Sequence, residues 1–120
     1  MNVMVDRRKK RRFEINLPLI LNQPGLPAPL HTHTIDLSTS GFSCAVNQPF
    51  SPGDILNALI QLPEGLVAAP PRYISGVAEV TRVSMTGSGF LIGCLLREST
   101  ILDMSALPDW ARRPFPAAAR

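Results

Sequence analysis

The sequence has few cysteines and no long apolar run. Its two cysteines, Cys44 and Cys94, are too few for a disulfide scaffold, so we expect reduced thiols in a cytoplasmic protein. The longest apolar stretch, Ile55 to Leu62, is interrupted by Asn57 and Gln61 and falls far short of the ~20 residues that a bilayer span needs. The N-terminus shows no apolar segment of the signal-peptide kind. These absences argue against a disulfide-rich secreted domain and against a membrane-spanning helix.

Charge is concentrated in one short segment. The chain has 12 Lys and Arg against 9 Asp and Glu, a net charge of +3. Six consecutive basic residues occupy positions 7–12, and without them the balance is 6 basic to 9 acidic residues, or −3. Like charges packed this closely repel one another and favour an extended, solvated arm. Such an arm favours an anionic partner, above all phosphate.

Alternation of apolar and polar residues predicts six short strands separated by turn residues. They span Phe13–Leu21, Leu30–Leu37, Phe42–Val46, Ile55–Leu62, Tyr73–Val83 and Phe90–Arg97. Pro18 cannot donate to a β-ladder, so we expect the first strand to be an edge strand or to be bulged there. Many short strands in one domain of 120 residues indicate a β-barrel or a β-sandwich.

One short helix is predicted after the last strand. Ser99 or Thr100 would cap it, Asp103 would lie in its first turn, and Pro108 would end it. The remaining residues, with two further prolines, are expected to form a loose tail.

Two motifs carry the chemistry. Arg8 and Arg12 form an R-x-x-x-R pair inside the basic run, and residues 36–41 read D-x-S-x-x-G at the end of the second predicted strand. These motifs, followed by the hairpin in which residues 76–80 precede residues 90–94, resemble the PilZ domain, the bacterial receptor module for cyclic di-GMP. The resemblance runs from about Arg7 to the helix near Asp103.

The resemblance implies an all-β fold, a six-stranded antiparallel barrel with a flexible basic N-terminal arm and a short C-terminal helix. Residues 1–12 would form the arm, residues 13–107 the barrel with its helix, and residues 108–120 a flexible tail. It also implies a non-enzymatic cytoplasmic receptor with no cofactor, which binds cyclic di-GMP and signals to a partner protein. The helix that ends at Pro108 is shorter than in many relatives, and this weakens the case for a partner contact through it.

The resemblance also assigns the ligand contacts. Arg8 and Arg12 would contact guanine and phosphate, because a guanidinium pairs with both. Asp36 would accept from the N1–H and N2–H₂ edge of guanine, and Ser38 would add a hydroxyl contact. Gly41 would let the backbone turn sharply and approach the ligand.

The basic run leaves the register of the first motif open. Arg7, directly before Arg8, matches the basic residue that accompanies binding of an intercalated cyclic di-GMP dimer in PilZ domains. An alternative register pairs Arg7 with Arg11. Asp6 and Phe13 favour the first register, because the family often has an acidic residue before the arginines and an apolar strand after them.

Simpler interpretations compete with this one. The basic arm alone would make a nonspecific binder of nucleic acid or anionic surfaces. Asp36 and Ser38 are also common turn formers that bond backbone amides. His31 and His33 share a strand face, but no third metal ligand is evident, so no metal is expected. The sequence has no G-x-S-x-G nucleophile elbow, and no catalytic residue is assigned.

Overall fold

The strands of the protein lie in a single antiparallel sheet. A computed structural model describes residues 13–23, 25, 28–63 and 72–111. The strands are β1 (Phe13–Glu14), β2 (Pro18–Asn22), β3 (Leu30–Leu37), β4 (Gly41–Val46), β5 (Ile55–Gln61), β6 (Arg72–Met85) and β7 (Phe90–Asp103). Two single-turn 3-10 helices, Met104–Ala106 and Asp109–Ala111, follow β7.

The sheet closes into a barrel of six strands. Its order is β3-β2-β5-β6-β7-β4, and β4 pairs back onto β3, while β1 pairs with the end of β3 beside β2. All of these pairings are antiparallel. The predicted six-stranded barrel is therefore confirmed, and closure removes the exposed edges that an open sheet would present.

The barrel interior is filled by every second residue of its strands. Alternate residues of a strand point to opposite faces, so the apolar alternation in the sequence becomes an inward row on each strand. The buried interior consists of Leu17, Leu19, Leu21, Phe42, Cys44, Val46, Phe50, Leu56, Ala58, Ile60, Ala78, Val80, Ile92 and Cys94. This arrangement leaves the opposite, outward residues available for contacts on the barrel surface.

The first predicted strand is broken at residues 15–17, next to the expected irregularity at Pro18. The buried hydroxyl of Thr34 bridges the break, since its Oγ1 accepts from Leu17 N at 2.9 Å and donates to Ile15 O at 2.5 Å. Thr34 N also donates to Leu17 O at 2.9 Å. One threonine therefore satisfies the backbone groups that the break would otherwise leave buried and unpaired.

The predicted C-terminal helix is wrong in place and type. Ser99 to Asp103 extend β7 and pair with β6, with Thr100 opposite Ser75 and Ile101 opposite Ile74. Cross-strand pairing therefore prevails over the local capping signal. Asp103 instead caps a 3-10 turn, and the hydrogen bonds from Ser105 lower its pKa.

No helix in the described part of the chain is long and apolar enough to cross a membrane.

A second apolar cluster lies outside the barrel. Leu107 and Ala111 pack with Ile20, Leu59 and Tyr73 of β2, β5 and β6, and Trp110 packs against the group. Ala111 is 1% exposed. Residues 109–111, which the sequence assigns to the flexible tail, are therefore part of the folded unit.

Both cysteines lie in the barrel interior as free thiols. Burial raises the pKa of Cys94 to about 12. Burial, with a smaller contribution from the neighbouring Cys94, also raises the pKa of Cys44. Each thiol is therefore held in its protonated, unreactive form.

Thr34→Val should destabilise the fold by about 1–3 kcal/mol, because the nearly isosteric side chain leaves Leu17 N and Ile15 O without their partner. Urea denaturation measures the change. Thr32→Val is the matched control, since the Thr32 hydroxyl donates to Ala45 O at an exposed position. Equal stabilities of the two variants would contradict the role of Thr34.

The free energy of unfolding should fall as the pH rises above about 9. Above that ordinary thiol pKa the unfolded chain releases thiol protons while the folded chain retains them, so deprotonation favours unfolding. Urea denaturation between pH 7 and 10 measures the slope. In the double variant Cys44→Ala, Cys94→Ala the slope should be shallower, and an unchanged slope would argue against this linkage.

Candidate functional site

The D-x-S-x-x-G segment joins β3 to β4 at one end of the barrel. Asp36 and Leu37 end β3, residues 38–40 form the turn, and Gly41 begins β4. β1 lies beside this segment, with Phe13 opposite Leu37 and Glu14 opposite Asp36. The residue that follows the basic run is therefore adjacent to the second motif, although 23 positions separate Phe13 from Asp36.

Ser38 holds the turn together. Its Oγ accepts from Ser40 N at 3.2 Å and lies 3.1 Å from Ser40 Oγ. Ser38 N donates to Gly41 O at 2.9 Å, and Leu96 N donates to Ser40 O at 2.8 Å, which anchors the turn to β7. Ser38, which the sequence predicts to contact the ligand, thus has a structural role in the turn.

Gly41 is required by the packing of β4 on β7. A Cβ at this position would lie 2.0 Å from Cys94 O and 3.0 Å from the Cys94 carbonyl carbon. Both atoms belong to backbone that is fixed in the sheet, so no side chain fits. The backbone at Gly41 therefore approaches the neighbouring strand β7 closely. This reason for glycine differs from the approach to the ligand that the motif suggests.

A β-bulge in β3 turns Asp36 to the outside of the barrel. Thr34 pairs with Cys44 and Asp36 pairs with Ser43, so Ile35 is the extra residue. Thr34 is fully buried, and regular alternation would have pointed Asp36 inward as well. The bulge reverses this orientation, as bulges beside functional sites commonly do.

A second bulge acts in the same way on β6. Val80 pairs with Cys94 and Arg82 pairs with Gly93, so Thr81 is the extra residue. Val80 belongs to the interior, and without the bulge Arg82 would follow it inward. Thr81 Oγ1 donates to Gly93 O at 3.1 Å, and this hydrogen bond holds the bulge in place.

The two bulges place four residues in one outer row across four strands. Asp36 pairs with Ser43, Ser43 with Gly93, and Gly93 with Arg82. The Arg82 guanidinium lies over Gly93, with its Nη2, Nε and Cζ at 2.9, 3.1 and 3.3 Å from the place of a Cβ there. Arg82, Ser43 and Gly93 are not predicted from the sequence, because regular alternation along a strand does not reveal a bulge.

An apolar groove lies on the inner side of the same turn. It has a volume of about 710 Å³ and is lined by Phe13, Ile15, Leu37, Ser38, Thr39, Ile74, Leu96 and Ser99. None of these lining residues carries a charge, so the groove does not suit a phosphate. The outer row, which combines a carboxylate, a hydroxyl and a guanidinium, suits a polar, charged ligand better.

The other predicted contacts lie outside the described residues. Arg7, Arg8 and Arg12 all precede Phe13, where the description begins. His31 and His33 lie on β3, opposite Ile20 and Pro18. Within the described ranges no group of three or more His, Cys, Asp or Glu is arranged to hold a metal ion.

Comparison with protein families decides the classification. The family model for the PilZ domain matches residues 6–107, which include both motifs and the seven strands that the structure describes. The chain belongs to the PilZ domain family. Comparison with curated protein sequences gives no match.

Solved PilZ-like structures share the fold. The Bacillus subtilis inhibitor of motility, MotI/DgrA, matches with a TM-score of 0.67 and 20% identity over 79% of this chain, which spans 44% of MotI. The PilZ domain of YcgR from Escherichia coli, determined with c-di-GMP, matches with a TM-score of 0.57 and 12% identity over 78% of this chain and 79% of that domain. At these identities the likeness establishes the PilZ barrel.

Gly41→Ala should destabilise this PilZ domain by about 1–3 kcal/mol or more, because the added methyl group meets the Cys94 backbone. Thermal and urea denaturation measure the loss. Gly87→Ala is the control, since nothing lies within 4 Å of a Cβ there, and it should change stability by no more than about 0.5 kcal/mol. Similar effects of the two substitutions would show that β4 can move away from β7.

Proposed function

We propose that this PilZ domain is a cytoplasmic receptor for cyclic di-GMP that acts by binding and not by catalysis. The observation that carries the proposal is the pairing of β1 with β3, which brings Phe13, the residue directly after the basic run, beside the Asp36–Gly41 motif. The structure of the YcgR PilZ domain with c-di-GMP supports the same ligand.

The chemistry of each motif fits a particular part of the ligand. Arg8 and Arg12 bind phosphate and guanine, while the outward Asp36 carboxylate accepts from the N1–H and N2–H₂ donors of a guanine. Ser38 and Gly41 set the shape of the turn that presents Asp36. Arg7 adds charge for a second, intercalated cyclic di-GMP molecule, so we expect a stoichiometry of two ligands to one chain.

The proposed output is a change in the N-terminal arm. The chain without the basic run has a net charge of −3, so the run and the rest of the chain are of opposite sign. An anionic ligand bound by both arm and turn would order residues 1–12 against the barrel and alter the surface that a partner protein meets. The alternative function, nonspecific binding of nucleic acid or anionic surfaces, needs the arm alone.

Asp36→Asn should weaken cyclic di-GMP binding by about 1–3 kcal/mol, because an amide is a poorer acceptor and adds donors of its own. Isothermal titration calorimetry at about 0.15 M salt, where surface electrostatics are screened, measures it. GTP and a short single-stranded DNA are the control ligands, and Glu98→Gln is the matched control variant, since it removes one exposed charge outside the outer row.

The same titrations separate the two functions. If the arm alone binds polyanions, Asp36→Asn should leave DNA binding unchanged or strengthen it, and affinity should fall steeply with salt. Binding of DNA without binding of cyclic di-GMP would overturn the receptor proposal.

A further inference from the structure

The outer row offers a basic group that belongs to neither sequence motif. Arg82 lies on β6, far from the arm in sequence, yet the pairing of strands places it three strands from Asp36 on the same outer surface. With about 4.8 Å between neighbouring strands, the Cα atoms of Asp36 and Arg82 are roughly 14 Å apart. The guanidinium lies one strand closer, over Gly93.

The two residues between Asp36 and Arg82 in this row are small, and neither carries a charge. Gly93 has no side chain, so the arginine extends across β7 instead of standing away from the sheet. Ser43, the next residue along the row, is 4% exposed and contributes a small polar floor. In the described part of the chain Arg82 takes part in no ion pair, in contrast to Arg97, which pairs with Glu79.

We propose that Arg82 reads the guanine base that Asp36 holds. This inference rests on the proposed cyclic di-GMP function and adds a specificity-determining residue to that site. Guanine has donors at N1 and N2 on one edge and acceptors at O6 and N7 toward the other. A base lying over Ser43 would direct its donor edge to Asp36 and its O6 and N7 to the Arg82 fork.

This arrangement selects guanine over adenine. Adenine places an amino donor where guanine has O6, so the Arg82 donors would face another donor, and it lacks the N1–H and N2–H₂ groups that Asp36 accepts from. The two bulges are then functional devices, because each of them turns one of the two base-reading side chains outward.

The test is calorimetry of cyclic di-GMP and cyclic di-AMP binding to the full chain and to Arg82→Ala and Arg82→Lys. We expect Arg82→Ala to weaken cyclic di-GMP binding by about 10- to 100-fold, the range of a lost bidentate base contact. Arg82→Lys should recover little of this loss, because a lysine lacks the fork. The ratio of affinities for the two dinucleotides should narrow in both variants.

Arg97→Ala is the matched control. Arg97 is an exposed arginine on the same β6–β7 ribbon, and its loss should leave cyclic di-GMP affinity unchanged. Thermal melting of each variant checks that the barrel is folded. Because Arg82 is exposed, the melting temperatures of the Arg82 variants should stay near that of the parent chain.

The outcomes separate this inference from the proposed function. If the parent chain binds cyclic di-GMP and Arg82→Ala binds equally well, Arg82 has no part in the site. If Arg82→Lys binds cyclic di-GMP as tightly as the parent chain, residue 82 acts as a point charge on a phosphate, and the proposed base reading is overturned. If the parent chain does not bind cyclic di-GMP, the proposed function falls first and this inference with it.

Discussion

The structure depends on the position of β3, which pairs with three other strands. It meets β1 and β2 on one edge and β4 on the other, and the pairing with β4 closes the barrel. Thr34, buried at the centre of β3, connects these contacts because its hydroxyl and its amide satisfy the broken backbone between β1 and β2. A buried polar side chain is tolerated here because every bond that it makes replaces one to water.

The same strand sets the geometry of the candidate site. One extra residue, Ile35, separates the inward Thr34 from the outward Asp36. The turn that follows is fixed to β7 through Ser40, and Gly41 lets β4 approach β7 closely enough for the barrel to close. The stability of the barrel and the geometry of the candidate site therefore depend on the same few residues. A loss of function after substitution at Gly41 would therefore indicate a folding defect in the first place, and not the loss of a ligand contact.

Charge and apolar surface are separated at this end of the barrel. The inner side of the turn borders an apolar groove, while the outer side carries the row from Asp36 to Arg82. Because the groove has no charged residue among its described lining, an anionic dinucleotide is better matched to the outer surface. The apolar groove is thus not the candidate binding site, because the chemistry of its lining does not match a charged ligand.

The sequence by itself determined the elements that depend on local pattern. Apolar alternation located the six barrel strands, and the two motifs indicated the PilZ family. It did not determine the end of β7, because the pairing of Ile101 with Ile74 lies between distant segments and prevails over a local helix cap. Nor did it show that Arg82 faces the same surface as Asp36. A single extra residue in a strand reverses the orientation of every side chain after it, and only the register with the neighbouring strands reveals that reversal.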